Sequence, residues 1–124
     1  MKNLVFIGIG GFAGSVLRYL VSVYFLKAFG NLLPYGTLAV NLLGSLLIGL
    51  LAGAFIKTDN QPLQFLLITG FCGGFTTFST FSLEGLKMLR DSQYLQYSLY
   101  ISISVIFGIL LCLIGFWLSQ KVFG

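Results

Sequence analysis

Seven consecutive residues, Thr76, Thr77, Phe78, Ser79, Thr80, Phe81 and Ser82, combine five hydroxyls with two aromatic rings one residue after the pair Gly73-Gly74, inside an otherwise apolar segment. Phe78 and Phe81 are three apart and share a helical face. An aromatic ring is negative on its face and positive at its edge, so edges presented to a pathway favour anions. Ser79, Thr80 and Ser82 add neutral donors, which replace part of an anion's hydration without the deep trap a lysine makes. Each glycine is about 1 kcal/mol worse than alanine in a helix interior, and the pair predicts a helix broken at Gly73-Gly74. A helix restarting there aims its first N–H groups at the interior, while unwound carbonyls suit a small hard cation. The competing reading is packing, with the phenylalanines in a core and the hydroxyls bonded back to their own helix. The break favours the ion site.

Other segments offer further candidates. Asn41 recurs with Ser45, Gly49 and Gly53 at every fourth residue, a small polar face. Its amide needs partners for two donors and an acceptor, met either by bonding between helices or by an ion in a vestibule. Tyr100 and Ser104 lie at helical spacing with Tyr97 and Gly108 and form a polar track. Arg18 is the strong charge well inside a span; it either snorkels to the interface beside Tyr19 or stands in a vestibule at a pore mouth.

The elements that position these residues follow from composition. Of 124 residues, 57% are hydrophobic and 8% charged, and the mean hydropathy is +0.99, far from a soluble domain. About 20 apolar residues span a bilayer, and the charges leave four such stretches, 4–28, 35–56, 63–89 and 96–120. The chain is therefore an all-α membrane protein, a single four-span domain over 1–124, held in the lipid bilayer with polar turns too short to carry chemistry. The net charge of +4 is spread singly over span ends, which suits headgroup anchoring and not nucleic acid. With no histidine and with Cys72 and Cys112 far apart, ordinary metal and nucleophile sites cannot be assembled, and no enzyme is expected. Gly8, Gly10 and Ala13 fit a dinucleotide fingerprint, but the acid expected about 20 residues on is missing, since the first acid is Asp59. A cleaved signal peptide is disfavoured by the three further spans and the lack of an A-x-A-like site. Gly10 and Gly14 read instead as a surface for close helix approach.

The chain resembles the Fluc/CrcB family of fluoride channels through Gly11-x-x-Gly14-x-x-x-Arg18-Tyr19, through Gly36-Thr37-Leu38-x-x-Asn41-x-x-Gly44, and most specifically through the run from Gly70 to Phe81. The resemblance implies a fluoride-selective channel that passively exports its ion across the plasma membrane. It further implies a homodimer of opposed four-span subunits with two pathways and a central structural sodium ion. Carried over by residue, Gly73 and Thr76 resemble the sodium-binding carbonyls, Phe78 and Phe81 the pathway phenylalanines, and Asn41 the vestibule amide. Ser79, Thr80, Ser82, Tyr100 and Ser104 resemble the polar track. A hydroxyl frequent in the family's fourth span is replaced here by Gly108.

Charge counting leads to the same antiparallel, dual-topology assembly. Lys2, Lys57 and Lys121 fall on one side of the membrane and Lys27, Lys87 and Arg90 on the other, three against three, so neither orientation is favoured. In such a dimer the Gly10/Gly14 and Ser45/Gly49/Gly53 faces are expected to pack against the partner. One rival reading is a small multidrug-type proton-coupled exporter, which needs an intramembrane carboxylate; Glu84 is the sole acid in a predicted span and lies near its end. Another is a structural subunit of a larger membrane complex.

Overall fold

Apolar stretches of this length satisfy their backbone in lipid by becoming helices. In the computed structural model, which describes residues 1–123, the four predicted spans are helical at Lys2–Phe29, Tyr35–Phe55, Gln61–Arg90 and Tyr94–Phe123. Helix α1 (Lys2–Phe29) has 28 residues, about 42 Å at a rise of about 1.5 Å per residue, and exceeds the hydrocarbon thickness. It ends at Gly30, whose φ of 80° is left-handed and whose N–H donates to the Leu26 carbonyl at 3.0 Å. Pro34 precedes α2 (Tyr35–Phe55) and supplies the carbonyl for Leu38 N–H at 3.0 Å. A short α3 (Gln61–Gln64) opens the third span, with Asn60 Oδ1 accepting from Leu63 N–H at 3.1 Å. The span continues as a π-helix (Phe65–Cys72), then α4 (Gly73–Phe75) and α5 (Phe78–Arg90), before α6 (Tyr94–Phe123) returns through the membrane.

The break in the third span is not at the glycines. Gly73 is helical, at φ −62° and ψ −38°, and the chain leaves the helix at Thr76 (φ −90°, ψ 160°) and Thr77 (φ −151°, ψ 126°). Glycine's helix penalty is offset here by close approach. A Cβ on Gly74 would lie 2.6 Å from the Gly11 carbonyl, and one on Gly70 would lie 2.7 Å from the Ile7 carbonyl. Only a chain without side chains at these points lets α1 and the third span touch backbone to backbone.

The small-residue faces take the close helix approach expected of them, but within the chain instead of against a partner. Gly10 and Gly14 pack within the chain, against the backbone of Leu66, Phe71 and Phe75, and Gly49 and Gly53 pack on Cys112 and Ser119 of α6. Ser119 Oγ donates to the Leu50 carbonyl at 2.7 Å, tying α6 to α2. These faces hold the subunit together and are not left for a second copy. The dinucleotide reading fails as well, since Gly8, Gly10 and Ala13 lie within α1 and the described residues contain no strand. Few side chains are fully enclosed, among them Val40 and Tyr100, while Leu4, Phe12, Leu20 and Ile109 stand exposed where lipid surrounds the helices.

Candidate functional site

The break is held open by side chains that take over main-chain bonds. In a continuous helix the Gly73 carbonyl would accept from Thr77 N–H, and the Thr76 carbonyl from Thr80 N–H. Thr77 N–H instead donates to Asn41 Oδ1 of α2 at 2.8 Å, and Asn41 Nδ2 returns a bond to the Thr77 carbonyl at 3.1 Å. Thr80 N–H donates to Thr77 Oγ1 at 3.2 Å, the N-cap bond that starts α5. The Gly74 carbonyl, which would accept from Phe78 N–H, accepts from Arg18 Nε of α1 at 2.9 Å. Three of the four helical bonds from Gly73–Thr77 to Thr76–Thr80 are thus replaced, by side chains from α2, from α1 and from the break itself. The carbonyls of Gly73 and Thr76 are released, and that of Gly74 is capped by a guanidinium.

Thr76 Oγ1 and N–H both donate to the Cys72 carbonyl, at 2.8 and 3.0 Å, and close the upstream half. Beside the break lies a cleft of about 380 Å³, lined by Asn41, Ser45, Thr76, Thr77, Phe78, Phe81 and Ser104 among others. Its walls carry hydroxyls, an amide and aromatic rings, and no ionisable side chain other than the Cys72 thiol. Ser104 Oγ is buried in it without a hydrogen-bond partner. Phe78 is 79% exposed, so the cleft is open on this side. The two rings lie 5.8 Å apart at 40°, and Phe81 packs on Tyr100 at 5.0 Å.

The predicted residues do not all meet there. Asn41, Phe78, Phe81, Ser104 and Thr76 line the cleft, whereas Tyr100 is enclosed behind Phe81 and its hydroxyl donates to Glu84 Oε1 at 3.2 Å. Ser82 bonds back to the Phe78 carbonyl at 3.0 Å, the local bonding that competes with any role toward a ligand. Ser79 and Thr80 cluster with Thr77, at 3.4 and 3.2 Å between hydroxyls. Arg18 is half-buried and turns its Nε to the break.

Two residues to which the sequence reading gave no role also contribute. Thr77 is the pivot of the break, and Thr is among the residues preferred at helix N-caps, a signal masked by the neighbouring glycines. Glu84 lines a second cavity, of about 440 Å³, with Thr37, Ser22 and Lys87. The Tyr100–Glu84 pair and the Phe81 ring stand between the two cavities.

Four apolar helices, a third span broken at Thr76-Thr77 and a cleft without charged side chains beside that break define a small multi-pass membrane protein. The chain belongs to the CrcB family: the family model described as "CrcB-like protein, Camphor Resistance (CrcB)" matches residues 5–116. Among its relatives, the fluoride-specific ion channel FluC of Leptospira interrogans is 46% identical, across 97% of this chain and 96% of its own. The protein of that name from Phocaeicola vulgatus is 43% identical, across 97% and 100%. That from Chlorobaculum tepidum is 46% identical, across 98% and 97%. The spans and the family together make the chain a multi-pass protein of the bacterial plasma membrane.

Proposed function

We propose that this protein is a fluoride channel, not an enzyme, and that it passes fluoride passively along the cleft beside the broken third span. The observation that carries the reading is the cleft itself: it offers an anion the unpartnered Ser104 hydroxyl and two phenylalanine rings with no cationic side chain among its lining residues, in a chain 46% identical to a fluoride-specific ion channel. Phe78 and Phe81 present their edges to the ion, and the free Ser104 hydroxyl donates to it. Asn41 sets the vestibule side of the break. Ser79 and Thr80 supply hydroxyls near the mouth, with Ser82 and Tyr100 in support through Phe78 and Phe81.

The working unit is a homodimer of oppositely oriented subunits. The exposed ring of Phe78 and the open side of the cleft support it, and so does the balance of three basic residues against three. A structural sodium ion lies between the two breaks. The main-chain oxygens of Gly73 and Thr76 fit it, because their helical donors are diverted to Asn41 and Thr77 and hard oxygens suit a hard cation. Bound there, the ion supplies positive charge that lowers the cost of an anion nearby.

The test is efflux from liposomes loaded with fluoride or chloride, with a cation ionophore balancing charge. Fluoride should leave rapidly and chloride far more slowly, without a proton gradient. Equal efflux of both anions, or dependence on a proton gradient, would overturn the reading.

A further inference from the structure

Gly14 packs against the Phe71 and Phe75 backbone, and Arg18 lies one helical turn further along α1, so close packing carries the guanidinium to the break. There it donates Nε to the Gly74 carbonyl at 2.9 Å. Arginine keeps its charge at any accessible pH. Among the described residues Arg18 forms no salt bridge: Asp91 pairs with Arg90, Asp59 lies in a loop, and Glu84 of α5 accepts from Tyr100. A fixed positive charge, the Arg18 guanidinium, therefore sits against the Gly74 carbonyl one residue from Gly73, while the oxygens of Gly73 and Thr76 are neutral dipoles.

We infer that Arg18 makes the cation position at the break selective for monovalent ions. The inference rests on the cation reading proposed above. Repulsion from a fixed charge scales with the charge of the ion, so a divalent cation meets twice the repulsion a monovalent one meets. Neutral carbonyls offer no counter-charge, whereas divalent sites draw on carboxylates. In an antiparallel pair the effect is doubled, since each subunit brings its own Arg18. Arg18 acts through the Gly74 peptide and the local potential, without touching the ion, and is a positioning and specificity residue.

The experiment is thermal melting of the purified full-length protein, freed of small cations in a bulky organic-cation buffer and titrated with sodium chloride or calcium chloride at matched ionic strength. Sodium and calcium are close in radius, so a difference between them reports charge. The wild type should be stabilised by sodium and indifferent to calcium. Arg18→Lys, which keeps the charge, should behave likewise. Arg18→Gln should respond to calcium at concentrations lower by about tenfold or more, because a unit charge has been removed from the site. A merely structural arginine would lower melting without altering the choice of cation.

Equal stabilisation of the wild type by calcium and sodium would overturn the inference. So would loss of discrimination in Arg18→Lys, or an Arg18→Gln protein that responds to sodium and still ignores calcium. Should Arg18→Gln fail to fold, the wild type and Arg18→Lys decide. A wild type with no sodium response overturns the cation site itself, and the inference with it; that outcome is distinct from a sodium response without charge selectivity.

Discussion

Asn41 spends its amide on one residue, and this fixes which way the amide points. Thr77 N–H can pair only with the oxygen and the Thr77 carbonyl only with the nitrogen, and both bonds are made, at 2.8 and 3.1 Å. Asn41→Ala leaves two backbone groups unpaired at membrane depth and should cost about 1–3 kcal/mol, seen as a lower melting temperature. Asn41→Asp retains the acceptor but sets a carboxylate against the Thr77 carbonyl and places negative charge on an anion path. Its fluoride efflux should fall by about tenfold or more, a barrier increase of about 1.4 kcal/mol; efflux within twofold of wild type would remove Asn41 from the vestibule. Phe81→Leu keeps most of the volume while losing the ring edge and the stack on Tyr100. Slower efflux from a protein with unchanged oligomeric behaviour is the expected result, and an unchanged rate would return Phe81 to the core.

Among the elements, the third span depends on a cap and on close packing. Thr77→Val has nearly the same shape but cannot accept from Thr80 N–H, so α5 should lose about 1 kcal/mol. Thr77→Ser should keep it, and melting of the two variants side by side is the check. The glycines divide by what surrounds them. A Cβ on Gly14 would lie 2.8 Å from Phe75 N, against backbone that cannot move aside cheaply. Gly14→Ala should therefore prise α1 from the third span, giving an aggregated or absent peak on size exclusion.

For the whole molecule, Gly73 separates the fold of the subunit from its assembly. A Cβ there meets nothing within 4 Å inside one chain, and Gly73 is already helical. As a monomer, Gly73→Ala should be tolerated or gain up to about 1 kcal/mol of helix propensity. In an antiparallel pair with the two breaks together it should weaken dimerisation, measured by dilution in detergent; undiminished dimer stability would place the interface elsewhere. Orientation has its own test. Adding two or three lysines to one set of loops should bias insertion and abolish activity, and co-expressing the oppositely biased chain should restore it. Full activity of a singly biased chain would exclude the opposed dimer.

The four spans were legible in the residue order because membrane insertion depends on the length and apolarity of a local stretch, quantities that need no knowledge of neighbours. The same holds for the cluster of hydroxyls and phenylalanines after Gly74, conspicuous because such residues are costly in lipid. The location of the break was not legible. Local propensity placed it at Gly73-Gly74, and it lies at Thr76-Thr77, where Asn41, 36 residues away, outcompetes the helix for Thr77 N–H. Gly74 serves close packing against α1 instead, as Gly49 and Gly53 do against α6. The direction of Arg18 was likewise settled only in three dimensions, by the carbonyl that the break had freed. Spans follow from what each segment contains, while the break and its clamp follow from which distant donor reaches a backbone group first.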